Sequence, residues 1–524
     1  MAGTLVEVVR DATNERLAGT TSGPARFALQ CRGNQVPQEV AAALARELAQ
    51  LHPTVAPLSD LEPSILVIEF TDRTLDGVEP AKAFAAAYEL AATFEVELAE
   101  PDLPTALFGV QPRFGEEGFD VPGCWVDSEP LEPGWALDRL RVPQAWALSE
   151  ARQRPVGGAG IVVAQPDTGV RDHEELAGRA VVGGFDTIDD DADPTDPLTG
   201  MNPGHGTATA SVAVSPKTLV LTGSAPNATH MPIRAIESVI RISQVTVARA
   251  IDWAVANGAH VITMSLGGIP SFSLHRALRR AVQADVLVLA AAGNCVRTVV
   301  WPARYSECIA VAGVNAADGM WRGTCRGAAV DISAPGQNVF RATLPSGTGQ
   351  GQGTSFAVAL TAGVAALWLA QHGRANLVAA ARDRGETLQA MFLRLVRATA
   401  RRPESWDPFE MGAGIVDAAA LLAADLDLGR GTESVPPPQL ARDSARQSVQ
   451  SLLAETVGPH AAVDDSFDWQ RYGPELALLT VERARPRGLQ EDVAHAPEPS
   501  RELTDSISNP GLLTWLGVAD GVPE

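Results

Sequence analysis

Between about residue 160 and residue 315, short unbroken apolar runs alternate with stretches whose apolar residues recur every three or four positions. The runs are "GIVVAQPD", "AHVITMSLGG", "ADVLVLAAAGN" and "CIAVAGV"; between and beside them stand "TVARAIDWAVANG" and "SLHRALRRAVQ". An unbroken apolar strand is one buried on both faces, and such strands alternating with helices predict a parallel sheet covered on both sides. In sheets of this kind, chemistry gathers just beyond the carboxyl ends of the strands. Two of the runs lead directly into polar residues there, Asp167 and Asn294.

The pattern changes on either side. Towards the N-terminus, an alanine-rich helical stretch (Gln38 to Leu51), an alternating strand "SILVIEF" (Ser64 to Phe70), a second helix in "AKAFAAAYELAATF" and a strand in "FEVELAE" predict a small α+β domain over 1–110. Residues rich in proline, glycine and acids follow, and 111–132 reads as a linker. Residues 133–425 carry the alternating α/β pattern. Beyond them, "VPPPQ" (Val435 to Gln439) reads as a polyproline spacer, and 430–524 as an acidic extension, partly disordered or a small appendage.

Composition narrows the function. The 524 residues carry a formal net charge of -22, with 45% hydrophobic and 20% charged residues. A large core is available, whereas the basic footprint of a nucleic-acid binder is not. The first twenty residues lack a signal-type apolar core, and no eighteen-residue apolar run suggests a membrane span. A cytoplasmic location without membrane partner is the expectation. The five cysteines are odd in number and form no CxxC. They read as small buried hydrophobes, with no disulfide framework or zinc site expected.

Three short motifs carry chemistry: "DTGV" (Asp167 to Val170), "GHGTATA" (Gly204 to Ala210) and "GTSFA" (Gly353 to Ala357). They supply a carboxylate, an imidazole and a hydroxyl. A serine hydroxyl is a poor nucleophile until a base takes its proton, histidine can be that base near neutral pH, and a carboxylate can orient the imidazole. Each motif alone also has a plain structural reading: Asp167 as a turn former, His205 as a residue in a glycine-flanked bend, and Ser355 as the start of a buried helix behind Thr354.

Taken together, the order Asp, His, Ser resembles the subtilisin-like serine proteases, the subtilases. The likeness extends to "AAAGN" ending at Asn294, "MSLGG" at Met264 to Gly268, "GSAPNA" at Gly223 to Ala228, "VDISAPG" at Val330 to Gly336, "GAGIVDA" at Gly412 to Ala418 and the opening "WALDRLRVPQAWAL". It implies an α/β fold: a three-layer parallel-sheet catalytic domain behind a small α+β propeptide-like domain. It implies Asp167, His205 and Ser355 as a catalytic triad and Asn294 as the oxyanion donor. It also implies that Ser265, Leu266 and Gly267, with Ala291, Ala292 and Gly293, bind the substrate chain as an added strand.

No cofactor or metal is implied. The acidic run "FDTIDDDADPTDP" (Phe185 to Pro197) suits a hard cation in composition, but it lacks EF-hand spacing and reads as a solvated loop near the cleft. Cys295, beside Asn294, reads as a buried free thiol. Val299, Val300 and Trp301 stand where they would narrow the first specificity pocket, so small or medium apolar side chains are expected before the cut bond. "FEVELAEPDLPTALFG" resembles the end of a propeptide, which makes the first domain an intramolecular inhibitor. The substrate is a protein or peptide, cut in regulated processing. A peptide ligase or macrocyclase on the same scaffold, and an inactive subtilase-fold binding protein, are the alternatives.

Overall fold

A computed structural model describes residues 5, 7–11, 23–103, 105–106, 131–199, 202–217, 220–239, 241–430, 444–458, 463–484 and 497–518. The expected polyproline spacer, nearly all of the expected linker and Cys124 lie outside them.

The N-terminal part folds as a four-stranded antiparallel sheet with two helices. Its strands are β1 (Ala25–Gln30), β2 (Thr54–Ser59), β3 (Glu62–Phe70) and β4 (Leu98–Pro101), in the order β2-β3-β1-β4. Its helices are α1 (Pro37–Glu47) and α2 (Pro80–Thr93), each opened by a proline whose missing N–H costs nothing in the first turn. A two-residue strand β5 (Thr105–Ala106) leaves this sheet.

The central part is built on an eight-stranded sheet. Its named strands are β6 (Val162–Asp167), β7 (Phe185–Asp186), β8 (Thr229–Arg234), β10 (Val261–Met264), β11 (Leu287–Ala291), β12 (Ile309–Val314) and β13 (Ile332–Pro335), paired in parallel in the order β7-β8-β6-β10-β11-β12-β13; Ala180–Val181 adds to β8. A short strand β9 (Arg241–Ile242) stands apart from this sheet and pairs with β5. Strands β10 to β13 are buried at every position, as their unbroken apolar pattern requires. Helices α3 (His205–Val214), α4 (Gln244–Ala256), α5 (Phe272–Gln283) and α6 (Thr354–His372) cover the sheet. Helix α6 is long and apolar enough to cross a membrane, yet it is buried inside the protein from Thr354 to Gln371.

The N-terminal sheet sits on α4 and α5, and two acids at its end cap both helices. The Glu100 carboxylate accepts from Phe272 N (2.8 Å), Ser273 N (3.2 Å) and the hydroxyls of Ser271 (2.6 Å) and Ser273 (2.8 Å). Asp102 accepts from Gln244 N (2.7 Å) and Ser243 Oγ (2.5 Å). Carboxylates here meet unpaired helix N–H groups and the positive end of each helix. Burial nevertheless pushes Glu100 up to about 7, against those hydrogen bonds, and raises Asp102 against the pull of Arg26. The next contact is β5 pairing antiparallel with β9. Just before β9, Ser238 donates to Asn202 Oδ1 (3.1 Å), and Asn202 O accepts from His205 N (3.2 Å). The end of the N-terminal domain thus reaches the edge of the candidate site.

The C-terminal extension is helical where it is described: α7 (Ser444–Thr456), α8 (Trp469–Arg483), α9 (Arg501–Ser506) and α10 (Pro510–Trp515). Its apolar residues join one continuous core with those of both other parts.

Candidate active site

The three polar motifs meet at the carboxyl edge of the sheet. Asp167 ends β6, His205 begins α3 and Ser355 lies in the first turn of α6. His205 Nδ1 is 2.6 Å from Asp167 Oδ1, and its Nε2 is 3.2 Å from Ser355 Oγ. All three are buried. Asp167 also accepts from Thr168 N (2.7 Å) and Thr209 Oγ1 (3.2 Å), which fixes its carboxylate plane. With the carboxylate on Nδ1, the imidazole holds its proton there and offers the Nε2 lone pair to the hydroxyl. Gly206 makes the approach possible, because a Cβ there would lie 2.1 Å from Gly169 O in the loop after Asp167.

Beside the serine, Asn294 Oδ1 accepts from Thr354 N (3.0 Å) and Thr354 Oγ1 (2.9 Å). Thr354 Oγ1 in turn accepts from Gly293 N (3.2 Å). The carboxamide oxygen is occupied, so its NH₂ is the end left to donate next to Ser355. Ser355's own N–H is one of the unpaired donors of the first turn of α6. Two donors at a helix N-terminus make a site for a developing anion. Gly351 has a separate reason: a Cβ there would come 2.5 Å from the Phe356 ring, so the glycine lets that ring tuck under the turn before the serine.

The sequence profile of the subtilase family matches residues 158–414. Thermitase of Thermoactinomyces vulgaris is 37% identical over 242 residues, 45% of this chain and 81% of the relative. Subtilisin BL of Lederbergia lenta is 34% identical over 237 residues, 44% of this chain and 82% of the relative. An alkaline protease of Alkalihalobacillus alcalophilus is 32% identical over 284 residues, 53% of this chain and 70% of the relative. The chain belongs to the subtilase family. It is by class a serine endopeptidase acting on a protein or peptide, with the three-layer α/β fold expected from sequence.

In this subtilase the two expected substrate strands flank a filled slot. Ser265, Leu266 and Gly267 continue β10, and Ala291 ends β11 ahead of Ala292 and Gly293. Ser265 Oγ donates to Ser355 O (3.1 Å), tying one strand to the serine. A Cβ on Gly267 would lie 2.5 Å from Val300 Cγ2, and one on Gly293 2.9 Å from the same atom. Val300 therefore stands between both strands, with Val299 and Trp301 equally buried beside it.

Sequence reasoning missed several supports of the site. Asp196 Oδ2 accepts from Thr168 Oγ1 (2.8 Å) and Gly204 N (2.8 Å), so one carboxylate ties the residue after Asp167 to the residue before His205. It belongs to the acidic run expected to be solvated, yet Asp196 and Asp186 are both buried, and Asp186 and Asp189 pair with Arg234. Behind Asp167 and His205, Gln165 Nε2 donates to Gly206 O (2.9 Å) and Thr209 Oγ1 (2.7 Å), while His230 Nε2 meets Gln165 Oε1 (2.8 Å). Burial, and secondarily Arg179, pushes His230 down to about 3, so it is neutral and its Nε2–H donates to Gln165. Among the described residues no acid, histidine and cysteine cluster fit for a metal is found.

One expectation is corrected. Cys295 is not a free thiol but disulfide-bonded, at a positive φ of 69°. Cys31, Cys308 and Cys325 are free and buried. An odd count without CxxC hid this bond, because pairing depends on spatial approach rather than spacing.

Proposed function

We propose that Ser355 is the nucleophile of this endopeptidase, His205 its general base and acid, Asp167 the group that orients and balances the imidazole, and Asn294 an oxyanion donor. The carrying observation is the single imidazole spanning Asp167 at 2.6 Å and Ser355 at 3.2 Å beside the Asn294 carboxamide. Ser355 Oγ attacks the scissile carbonyl carbon as its proton passes to His205 Nε2. The carbonyl oxygen takes the charge and is met by the Ser355 N–H and the Asn294 amide. His205 then gives its proton to the leaving amine, and water hydrolyses the acyl-enzyme by the same route.

The substrate chain lies between Ser265–Gly267 and Ala291–Gly293 as an added strand. Val300 fills the space beneath it, which favours small apolar side chains before the cut bond. The N-terminal domain acts as a bound inhibitor. Its support is the pair of helix caps from Glu100 and Asp102 and the β5–β9 pairing at the cleft edge. The enzyme therefore suits regulated processing of a protein or peptide.

A fluorophosphonate probe tests the assignment. It labels wild type at Ser355 once the N-terminal domain is displaced, and leaves Ser355→Ala unlabelled. Absence of labelling in every form of the wild-type protein refutes it.

A further inference from the structure

Relative to the family match at 158–414, the C-terminal helices are additional, and their contacts follow a definite plan. One side grips the catalytic domain beside the substrate pocket. Ser444 Oγ contacts Glu307 (2.8 Å) and His275 (2.5 Å). Trp301 Nε1 donates to Ser448 Oγ (3.1 Å), and Arg304 pairs with Glu455, which also accepts from Thr298 Oγ1 (3.3 Å). Residues 298–304 include the Val300 that fills the pocket, so α7 is seated on the outer wall of that pocket.

The other side grips the N-terminal domain. Tyr88 of α2 donates its hydroxyl to the buried Glu475 of α8 (2.9 Å). Its ring packs edge-on against Tyr472, with centroids 5.2 Å apart, and the Arg471 guanidinium lies over it at 5.3 Å. Glu475 is held from behind by Ser500 N (2.6 Å) and Ser500 Oγ (2.8 Å). Helix α8 also packs on β4, the strand that leads to the Glu100 and Asp102 caps, and α9 packs on α2. Leu452, Leu453, Leu476, Leu479 and Leu503, all fully or almost fully buried, make the join apolar as well as polar.

We propose that α7 to α10 form a docking surface for the chain's own N-terminal domain, holding it on the enzyme after the connection between the two is cut. The proposal rests on the reading of that domain as a propeptide-like inhibitor. Sheet and caps alone give one interface, to α4 and α5. The clasp adds a second, on α2 of the N-terminal domain, and α7 anchors it to the catalytic domain. Two linked interfaces multiply retention, because leaving requires both to open at once. The cut product is a two-chain complex, and release waits on loss of the C-terminal helices.

The test uses the full chain with Ser355→Ala, to prevent self-cleavage, and a site for an unrelated sequence-specific protease inserted within 111–130. After cutting, gel filtration and a chase with excess unlabelled chain read how fast a labelled N-terminal fragment leaves. The fragment co-elutes with the remainder. It leaves at least about tenfold faster from Arg471→Ala with Tyr472→Ala, two half-buried positions. Equal rates from the parent and the double variant, with melting of the remainder unchanged, overturn the clasp. The same cut on protein with Ser355 intact separates the two readings. A retained fragment on a fully active enzyme supports the clasp and refutes inhibition, whereas a fragment lost at once from the parent refutes the clasp.

Discussion

Asn294 is tied by its oxygen to Thr354, so as the proposed oxyanion donor it would act on the transition state more than on substrate binding. Replacing it with leucine lowers kcat by about 10²–10³ with little change in KM, the range known for the oxyanion asparagine of subtilisin. Steady-state kinetics on a peptide amide check this. Val300 works in the opposite sense, by excluding. Val300→Gly opens the slot between Gly267 and Gly293, and a peptide library read by mass shows cuts after larger apolar residues gaining at least tenfold over those after alanine. An unchanged preference removes Val300 from the specificity pocket. That Asp167, His205 and Ser355 would meet was legible because short motifs fix each side chain to a strand end or helix start. Asp196 was not, since nothing in an acidic run marks the one carboxylate that turns inward to bridge Thr168 and Gly204. Gln165, Thr209 and His230 were equally hidden, because isolated polar residues in apolar runs look alike until their partners are known.

At the level of elements, the parallel strands announced themselves through unbroken apolar runs, and α4 and α5 through their periodicity. Strand β1 did not, because Arg26 and Gln30 interrupt its pattern. Both are buried, with Arg26 paired to Glu69 at 2.6 Å and Gln30 bonded to Ser64 Oγ at 3.1 Å. Helices α7 and α8 were missed for a related reason: their inward faces mix serine, glutamate and tryptophan with leucine. The two helix caps carry a prediction. Glu100→Ala removes a cap contribution of about 0.5–2 kcal/mol and speeds release of a cut N-terminal domain accordingly. Glu100 faces hydroxyls and amides, and burial holds it near 7 when docked, above its free value of 4.5. A raised carboxyl pKa means the docked state binds the extra proton. This contribution is therefore full below pH 4.5 and lost as pH rises through 7. Release rates measured from pH 5 to pH 8 increase in the parent, and the increase is smaller in Glu100→Gln.

On the scale of the molecule, one core runs through all three parts, so stability cannot be assigned to the catalytic domain alone. The Arg304–Glu455 pair makes this measurable. Arg304 is buried, and burial, opposed by Glu455, lowers its pKa. Removing Glu455 leaves a buried guanidinium without its counter-charge. The usual 3–5 kcal/mol for such a loss is reduced here because Glu455 is about a quarter exposed. Glu455→Ala costs about 2 kcal/mol in chemical denaturation, and Arg304→Met with Glu455→Ala recovers much of it. A double variant no more stable than the single one shows that the pair is not the source.

Tyr88 and Glu475 meet although 387 residues separate them in sequence. The N-terminal domain is therefore completed by helices made long after it. During synthesis Ser355 is already outside while α8 is still to come, and the hold on the N-terminal domain tightens only once α8 has followed. Chains stopped early, or trimmed near residue 440, would carry Asp167, His205 and Ser355 without the Tyr88–Glu475 contact.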